Sequence, residues 1–389
     1  MNFELQASSD AELNELKKAA RENGFSSISE YLLSLHREKK PRQAKYFTDE
    51  EKSSADPTVY FRTDRGKIVT GDAAKVMQEM IPPKSVDLIM TSPPFGLVRK
   101  KAYGNEEADD YVAWFRKFAE GFQKILKPQG SLVIDIGGAW KKGQPTRSLY
   151  HFELLISLSR DFGFHLAQEF YWWNPSKLPS PAEWVNIRRI RVKDAVNCIW
   201  WLSPTPFPKA SNKRVLQPYS DSMKKLLKDG YTAKLRPSGH DISKKFKKDN
   251  RGAIPPNLIA LANTESNSKY QRYCRENDLP EHPARFPEGI PAYFIRMLTD
   301  ENDFVFDPFS GSCVTGSVAE KMKRQWLCCE IDPQYSKGAL GRFKPNGNEK
   351  NGGRSEPYGI YPPILDMLEE KDAPLPKDGG RKRPKKRKK

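Results

Sequence analysis

The sequence predicts an α/β fold whose functional loops follow the carboxyl ends of parallel strands. Three observations support this prediction. Apolar runs of strand length alternate with helical runs between about residues 61 and 343. One apolar run, VDLIM, is followed directly by the proline-rich turn TSPPF, residues 91–95. Another leads into the small-residue loop DPFSGS, residues 307–312, which a helical segment and a further strand follow.

Length and composition restrict the class of protein. The chain has 389 residues, which is room for one large catalytic domain with additions, and no apolar run approaches the length that crosses a membrane. The first residues show no secretory signal pattern. None of the five cysteines falls in a C-x-x-C pair, so we expect reduced thiols and no bound metal. These features favour an intracellular, cytoplasmic protein without a membrane partner.

The charge of the chain is strongly positive and uneven. Of a formal net charge of +17, the last nine residues, RKRPKKRKK, carry +8, which leaves +9 for the remainder. A cationic body with a cationic tail indicates a polyanionic partner, most often nucleic acid. Residues 344–389 are rich in Gly, Pro and Lys, so we expect a basic and mostly extended or disordered tail.

Residues 1–40 have the pattern of a separate unit. A short alternating stretch precedes two helical segments, each of which begins with a capping box, Ser9 with Glu12 and Ser27 with Glu30. This order resembles a ribbon-helix-helix unit, which implies a homodimer whose paired strands enter the DNA major groove. The alternative is a helical hairpin that serves only for packing. Residues 41–60 are polar and are interpreted as a linker.

The remaining part of the chain divides into a sheet domain and an insertion. The predicted strands of the domain, residues 61–343, are 67–70, 86–90, 131–136, 196–202, 304–306 and 326–330. Between about 203 and 281 the sequence becomes polar, basic and punctuated by Pro and Gly. We interpret this stretch as an insertion outside the sheet.

The loop at 307–312 has the features of a ligand site. It follows a strand, and the next strand ends at the acids Glu330 and Asp332. A tight loop lets a ligand approach the backbone, and an acid at the end of the next strand can hold ribose hydroxyls. The spacing does not fit G-x-G-x-x-G, so a dinucleotide is not implied.

The two motifs together resemble those of the DNA methyltransferases that methylate amino groups. DPFSGS followed by an acid resembles their S-adenosylmethionine motif, and TSPPF resembles their catalytic motif in the serine form of cytosine-N4 enzymes. The catalytic motif comes first, which is the β-class order. Further segments, among them SLVIDIGGAW, RPSGHDISKKF and HPARFP, resemble the PvuII-type group over residues 64–343. One departure is Cys313, where many relatives have Gly or another small residue.

This resemblance implies a Rossmann-like S-adenosylmethionine-dependent methyltransferase sheet, acting on a cytosine that is flipped out of double-stranded DNA. In the catalytic turn, Ser92 Oγ and the Pro93 carbonyl would accept the two N4 hydrogens, Pro94 would stiffen the turn, and Phe95 would stack on the base. Asp135 would accept the proton or, if protonated, hold N3; it could equally be a structural cap.

The resemblance also implies binding residues. S-adenosylmethionine would lie against Asp72, His282, Pro283, Phe286, Asp307, Phe309, Gly311, Ser312 and Glu330. DNA would contact Lys177, Arg188, Arg189, Arg191 and Lys193 beside the pocket, and Arg236 and His240 in a target-recognition segment at 203–281. For single residues, a structural histidine or a solvated basic face is the alternative.

The sequence therefore predicts a site-specific cytosine-N4 DNA methyltransferase, the protective partner of a restriction endonuclease. One alternative is adenine-N6 methylation, although adenine enzymes usually have Asp or Asn at the position of Ser92. An alternative of another class is a non-catalytic repressor that binds DNA through residues 1–40.

Overall fold

The computed structural model describes residues 56–96, 110–229, 249–264 and 267–343, together with residues 14, 17, 18, 20, 21 and 28. The chain divides into two units, 1–54 and 55–389. In the first unit the six described residues are helical. The other residues of the predicted ribbon-helix-helix unit lie outside the described part, as do residues 41–55 and the tail.

The second unit is built on one sheet, and its fold confirms the predicted α/β class. Nine described strands follow the order β1-β2-β9-β8-β3-β4-β6-β5-β7. Strands β2, β9, β8, β3 and β4 are parallel neighbours, whereas β1, β6 and β5 add antiparallel pairs. The strands are β1 Thr58–Arg62, β2 Gly66–Thr70, β3 Val86–Thr91, β4 Leu126–Ile136, β5 His165–Trp173, β6 Val196–Ser203, β7 Leu258–Ala260, β8 Phe304–Asp307 and β9 Gln325–Glu330.

Helices cover the sheet on both faces. The described α-helices are α1 Ala73–Glu79, α2 Tyr111–Ile125, α3 Tyr150–Arg160, α4 Asp221–Asp229, α5 Lys269–Glu276, α6 Gly289–Leu298, α7 Val314–Lys321 and α8 Pro333–Ala339. Within the described residues, no helix is both long and apolar enough to cross a lipid bilayer.

The middle strand, β3, is the most enclosed part of the sheet. Every residue from Val86 to Thr91 is buried, because apolar cores lie on both faces. Leu88 and Met90 contribute to one core and Ile89 to the other. A continuous apolar run is typical of a parallel strand that is covered on both sides. The same burial explains why this run could be recognised from the sequence.

Two predicted boundaries are wrong. Residues 58–60, which we placed in the linker, begin strand β1, which pairs with β2. Residues 258–260, which we placed in an insertion outside the sheet, form strand β7 and pair in parallel with β5. Both strands lie at edges of the sheet. Neither strand has a long apolar run: no residue of β1 is fully buried, and in β7 only Ile259 is buried in the core.

The topology brings the predicted site residues to one side of the sheet. The parallel strands β2, β3, β4, β8 and β9 all end at the same side, and the segments after or at these ends contain the predicted site acids and Ser92. Ligands of open α/β sheets bind at this side. Strand β6 runs in the opposite direction, so its first residues also reach this side.

Candidate active site

The catalytic turn begins where the buried strand β3 ends. Thr91 Oγ1 donates a hydrogen bond of 2.7 Å to Asp307 Oδ1, and the next residue, Ser92, donates from Oγ to Asp135 Oδ2 at 3.2 Å. The two prolines that follow have no N–H and a fixed φ. The turn is therefore stiff and is attached to both neighbouring strands, β8 and β4.

Asp135 is the centre of a buried hydrogen-bonded group. Its carboxylate accepts from Ser92 and from Asn197 Nδ2, the latter at 3.1 Å. Burial raises the pKa of Asp135 to about 6, although the hydrogen bonds from Asn197 and Ser92 oppose that shift. The carboxyl group is thus mainly ionised at neutral pH, and it is a stronger base than an exposed aspartate.

A buried tyrosine connects the two catalytic segments. The Tyr150 hydroxyl donates to the Gly137 carbonyl and accepts from the backbone N–H of Gly96. A Cβ on Gly137 would lie 2.6 Å from Phe95 Cε2, so the aromatic ring rests directly on this glycine. Tyr150 therefore fixes Gly96, which follows Phe95, and Gly137, which lies beneath the Phe95 ring.

The loop after β8 is connected to the catalytic turn. Asp307 is buried; it accepts from Thr91 and from the Phe309 N–H through Oδ1, and from Thr315 Oγ1 through Oδ2. Burial raises its pKa to about 6. Its hydrogen bonds hold the loop and the turn together, and its predicted contact with the cofactor stays a prediction.

The middle of the loop passes close to the ring of His282. Gly311 has a φ of +49°, and a Cβ there would lie 3.0 Å from the His282 ring. The side chain of His282 packs edge-on against Tyr335, with 4.6 Å between the ring centroids. Ser310 Oγ, in contrast, is buried with no hydrogen-bond partner. An unpartnered hydroxyl in such a loop is a feature of a site that a ligand completes.

Glu330 supports this loop from the end of β9. Its Oε2 accepts from the Gly311 N–H at 2.7 Å, and its Oε1 accepts from the Asp332 N–H at 2.9 Å. Burial raises its pKa to about 7, which these backbone hydrogen bonds partly offset. Each carboxylate oxygen can accept a second hydrogen bond, so Glu330 can hold the loop and still bind a hydroxyl.

The other predicted cofactor residues surround the same loop. Ser312 accepts two hydrogen bonds from Arg342, and the Phe309 ring packs edge-on against Phe118 of α2 with 4.8 Å between centroids. Asp72 follows β2 and caps α1 through the Ala74 N–H. Of the HPARFP segment, Pro283 is exposed and Phe286 is buried in the core.

The predicted DNA contacts beside the pocket differ in their surroundings. Arg191 donates to the carbonyls of Pro145 and Ile190, and Lys193 donates to those of Pro175 and Lys177. Arg188 pairs with Glu183 at 2.7 Å. These side chains therefore shape the loop between β5 and β6. Arg236 and His240 lie outside the described residues, so their role stays a prediction.

Three residues of the site were not identified from the sequence. Asn197 and Tyr150 act on segments far away in the chain, and no local motif marks them. Ser310 lies inside DPFSGS, so its position in the motif was a usable signal. The five cysteines are free thiols, and four of them are buried.

This arrangement defines an amino-group methylating enzyme of the DNA methylase family, and a model of that family matches residues 86–340. The chain belongs to this family. It is 53% identical over 289 residues to the type II methyltransferase M.PvuII of Proteus hauseri, and the match covers 74% of this chain and 86% of the relative. M.BglII of Bacillus subtilis is 26% identical over 282 residues, which cover 72% of this chain and 69% of that protein.

A solved structure agrees with this assignment. The PvuII DNA methyltransferase, described as cytosine-N4-specific, superimposes with a TM-score of 0.60 and 42% sequence identity. The match covers 79% of this chain and 92% of that structure. The resemblance inferred from TSPPF and DPFSGS is thereby confirmed.

Proposed function

We propose that this chain is a site-specific DNA methyltransferase that transfers a methyl group from S-adenosylmethionine to N4 of a cytosine in double-stranded DNA. The observation that carries the proposal is the hydrogen-bonded series Asn197–Asp135–Ser92, beside a loop that Asp307 links to the same turn. Serine in the catalytic turn and the 53% identity to a cytosine-N4 relative support cytosine over adenine.

The loop after β8 fits S-adenosylmethionine. Ser310 Oγ lacks a partner, and Gly311 leaves no room for a side chain between the loop and His282. Glu330 would bind the ribose hydroxyls, Gly311 and Ser312 would face the methionine part, and Asp72 the adenine end. When bound, S-adenosylmethionine supplies an electrophilic methyl group on a positively charged sulfur.

The catalytic turn can activate a weakly nucleophilic amine. The lone pair of cytosine N4 is delocalised into the ring, so the enzyme must localise it. Because Ser92 donates its own proton to Asp135, the free lone pairs of Oγ can accept one N4 hydrogen. The Pro93 carbonyl can accept the other. These fixed acceptors favour a pyramidal nitrogen, whose lone pair is then directed at the methyl group.

Asp135 can receive the proton that the methylated amine releases. Ser92 lies between the amine and the carboxylate, so a proton can pass to Oγ while the hydroxyl proton passes to Asp135. Burial raises the pKa of Asp135 to about 6, which makes it a stronger acceptor that is still ionised at neutral pH.

The test is a transfer assay followed by analysis of the product. Purified protein is incubated with DNA and S-adenosylmethionine with a labelled methyl group, and the DNA is digested to nucleosides. We expect label in N4-methylcytosine. Label in N6-methyladenine would establish the adenine alternative, and no label would favour the non-catalytic repressor. Sequencing of modified bases in host DNA identifies the target site, and protection of that site from a restriction endonuclease of the host tests the predicted pairing.

Glu330 offers a test of the cofactor site. Changing Glu330 to Gln is expected to weaken S-adenosylmethionine binding by more than about 1 kcal/mol, because charge-assisted hydrogen bonds are lost. Calorimetry measures this affinity. Asp332→Asn is the matched control, since Asp332 caps α8 through the Gln334 N–H and an asparagine oxygen can do the same. Equal affinities of the Glu330 variant and the wild type would place the ribose elsewhere.

The basic tail allows a test of the DNA partner. Residues 381–389 consist of eight positively charged side chains and one proline. Each phosphate contact contributes a slope of about −0.9 in log K against log salt for duplex DNA. Deletion of the tail is expected to reduce the magnitude of this slope and to weaken binding to all sequences similarly, which salt titrations of affinity measure. A changed methylation site after the deletion would contradict a phosphate-only role.

A further inference from the structure

The connection between β5 and β6, residues 174–195, lies over the catalytic side of the sheet. Strand β6 runs antiparallel to β4, and Ile199 is paired with Asp135. The last residue of β5, Trp173, is paired with the first residue of β6, Val196. The loop therefore leaves the sheet next to Asn197, whose amide contacts the catalytic carboxylate.

This loop is held in place by several polar contacts. Lys193 Nζ donates to the Pro175 carbonyl at 3.0 Å and to the Lys177 carbonyl at 3.2 Å, which joins the two ends of the loop. Asp194 forms an ion pair with Arg147 of the segment that follows β4. These contacts fix the loop relative to the strand that carries Asp135.

Four large apolar side chains of the loop are exposed: Leu178, Ile187, Ile190 and Val192. The two most exposed are Leu178 and Val192, and we call these two the apolar tip. Leu178 is 79% exposed and Val192 is 86% exposed. Leu178 follows Lys177, and Val192 precedes Lys193. Because Lys193 Nζ donates a hydrogen bond to the Lys177 carbonyl, the two residues of the tip lie on neighbouring backbone segments. The ammonium of Lys177 also opposes the burial that raises the pKa of Asp135, which indicates that this end of the loop is close to the pocket.

We propose that the apolar tip, through Leu178, enters the base stack of the DNA and fills the space that the flipped cytosine leaves. This inference rests on the proposed function. Flipping a base out of the duplex loses its stacking and pairing. Apolar side chains inserted between base steps replace part of the lost stacking. Lys177 directly precedes Leu178, and the same loop also carries Arg188, Arg189 and Arg191, so the apolar tip is accompanied by cationic side chains of the kind that bind phosphates.

Leu178 is better suited to this role than a flexible side chain. It is preceded by Pro175 and followed by Pro179, and each proline restricts the backbone. Because the Lys177 carbonyl is bonded to Lys193, the backbone next to Leu178 is ordered before DNA arrives. A preordered wedge loses little conformational entropy on insertion.

The test compares two duplexes that carry the target site, as identified by sequencing of modified bases in host DNA. In one the target cytosine is paired with guanine, and in the other it faces an abasic position, so that flipping costs less. Leu178→Ala is expected to lower the single-turnover rate on the paired duplex by at least about tenfold, and to stay within about twofold of the wild type on the unpaired duplex. Fluorescence of 2-aminopurine next to the target reports unstacking directly, and its increase on binding is expected to be lost in the variant.

Leu166→Ala is the matched control. Leu166 is also an exposed leucine, at 40%, but it lies near the other end of β5, where it pairs with Leu202, so its removal is expected to leave both rates unchanged. An equal loss on both duplexes, or no loss on either, would overturn the wedge assignment. Absence of methylation by the wild type on both duplexes would overturn the proposed function instead.

Discussion

Replacement of Ser92 by alanine is expected to lower the single-turnover rate of methyl transfer by about 10²–10³-fold, the usual effect of removing one transition-state hydrogen bond. The affinity for S-adenosylmethionine is expected to stay unchanged. The reason is the position of the hydroxyl, which contacts Asp135 and no residue of the loop after β8. Rapid quench with labelled cofactor measures the rate, and calorimetry measures the affinity.

The control for this variant lies at the opposite end of β3. Ser85→Ala removes a hydroxyl that donates to the Pro82 carbonyl, far from the carboxyl side of the sheet. It is expected to leave the transfer rate unchanged. Removal of Ser92 also takes one hydrogen bond from the buried carboxylate of Asp135, so thermal unfolding should be compared between both variants. A Ser92 variant with the wild-type transfer rate would refute the proposed role of this hydroxyl.

The parts of the site that could be predicted from the sequence are those that depend on local patterns. Ser92 lies in TSPPF and Asp307 in DPFSGS, each at or just after the end of a strand, and Glu330 is the acid that ends the next strand. In a parallel sheet the ends of such strands meet at one side, whatever the details of packing. Consecutive motifs were therefore sufficient to assemble these residues.

Asn197 and Tyr150 could not be found in this way, because their roles depend on long-range pairing. Asn197 reaches Asp135 only because β6 is antiparallel to β4 in one particular register, and a shift by one residue would turn its side chain to the other face. Tyr150 lies on α3 and contacts backbone atoms of two separate loops. Neither contact leaves a periodic pattern in the sequence.

The incorrect boundaries have a related cause. Strand β7 has three residues, and its place in the sheet depends on parallel pairing with β5, which is distant in sequence. Within the loop at 174–195, Lys193 and Arg191 also donate to backbone carbonyls that are distant in sequence, and no local pattern predicts these contacts. Their contacts with DNA phosphates stay predictions.

Replacement of Asp135 by asparagine is expected to lower the rate by about 10²–10⁴-fold, the usual contribution of a positioned acid or base, and to remove the pH dependence of the wild type. Burial raises the pKa of Asp135 to about 6. Below that pH the carboxyl group is protonated and can no longer accept a proton through Ser92. The single-turnover rate of the wild type should therefore rise with pH, reach half of its maximum near pH 6 and become constant about one pH unit higher, whereas the rate of Asp135→Asn should not change with pH.

Two other acids titrate in the same range, so the variant is essential to the assignment. Burial raises the pKa of Asp307 to about 6 and that of Glu330 to about 7. Both hold the loop after β8, and measurement at saturating S-adenosylmethionine and DNA removes their effect on binding. If the rise near pH 6 persists in Asp135→Asn, the controlling acid is a different one. A wild-type rate that falls as the pH rises through 6 would show that the protonated form is active, and would assign Asp135 to holding N3 of the cytosine instead of accepting the proton.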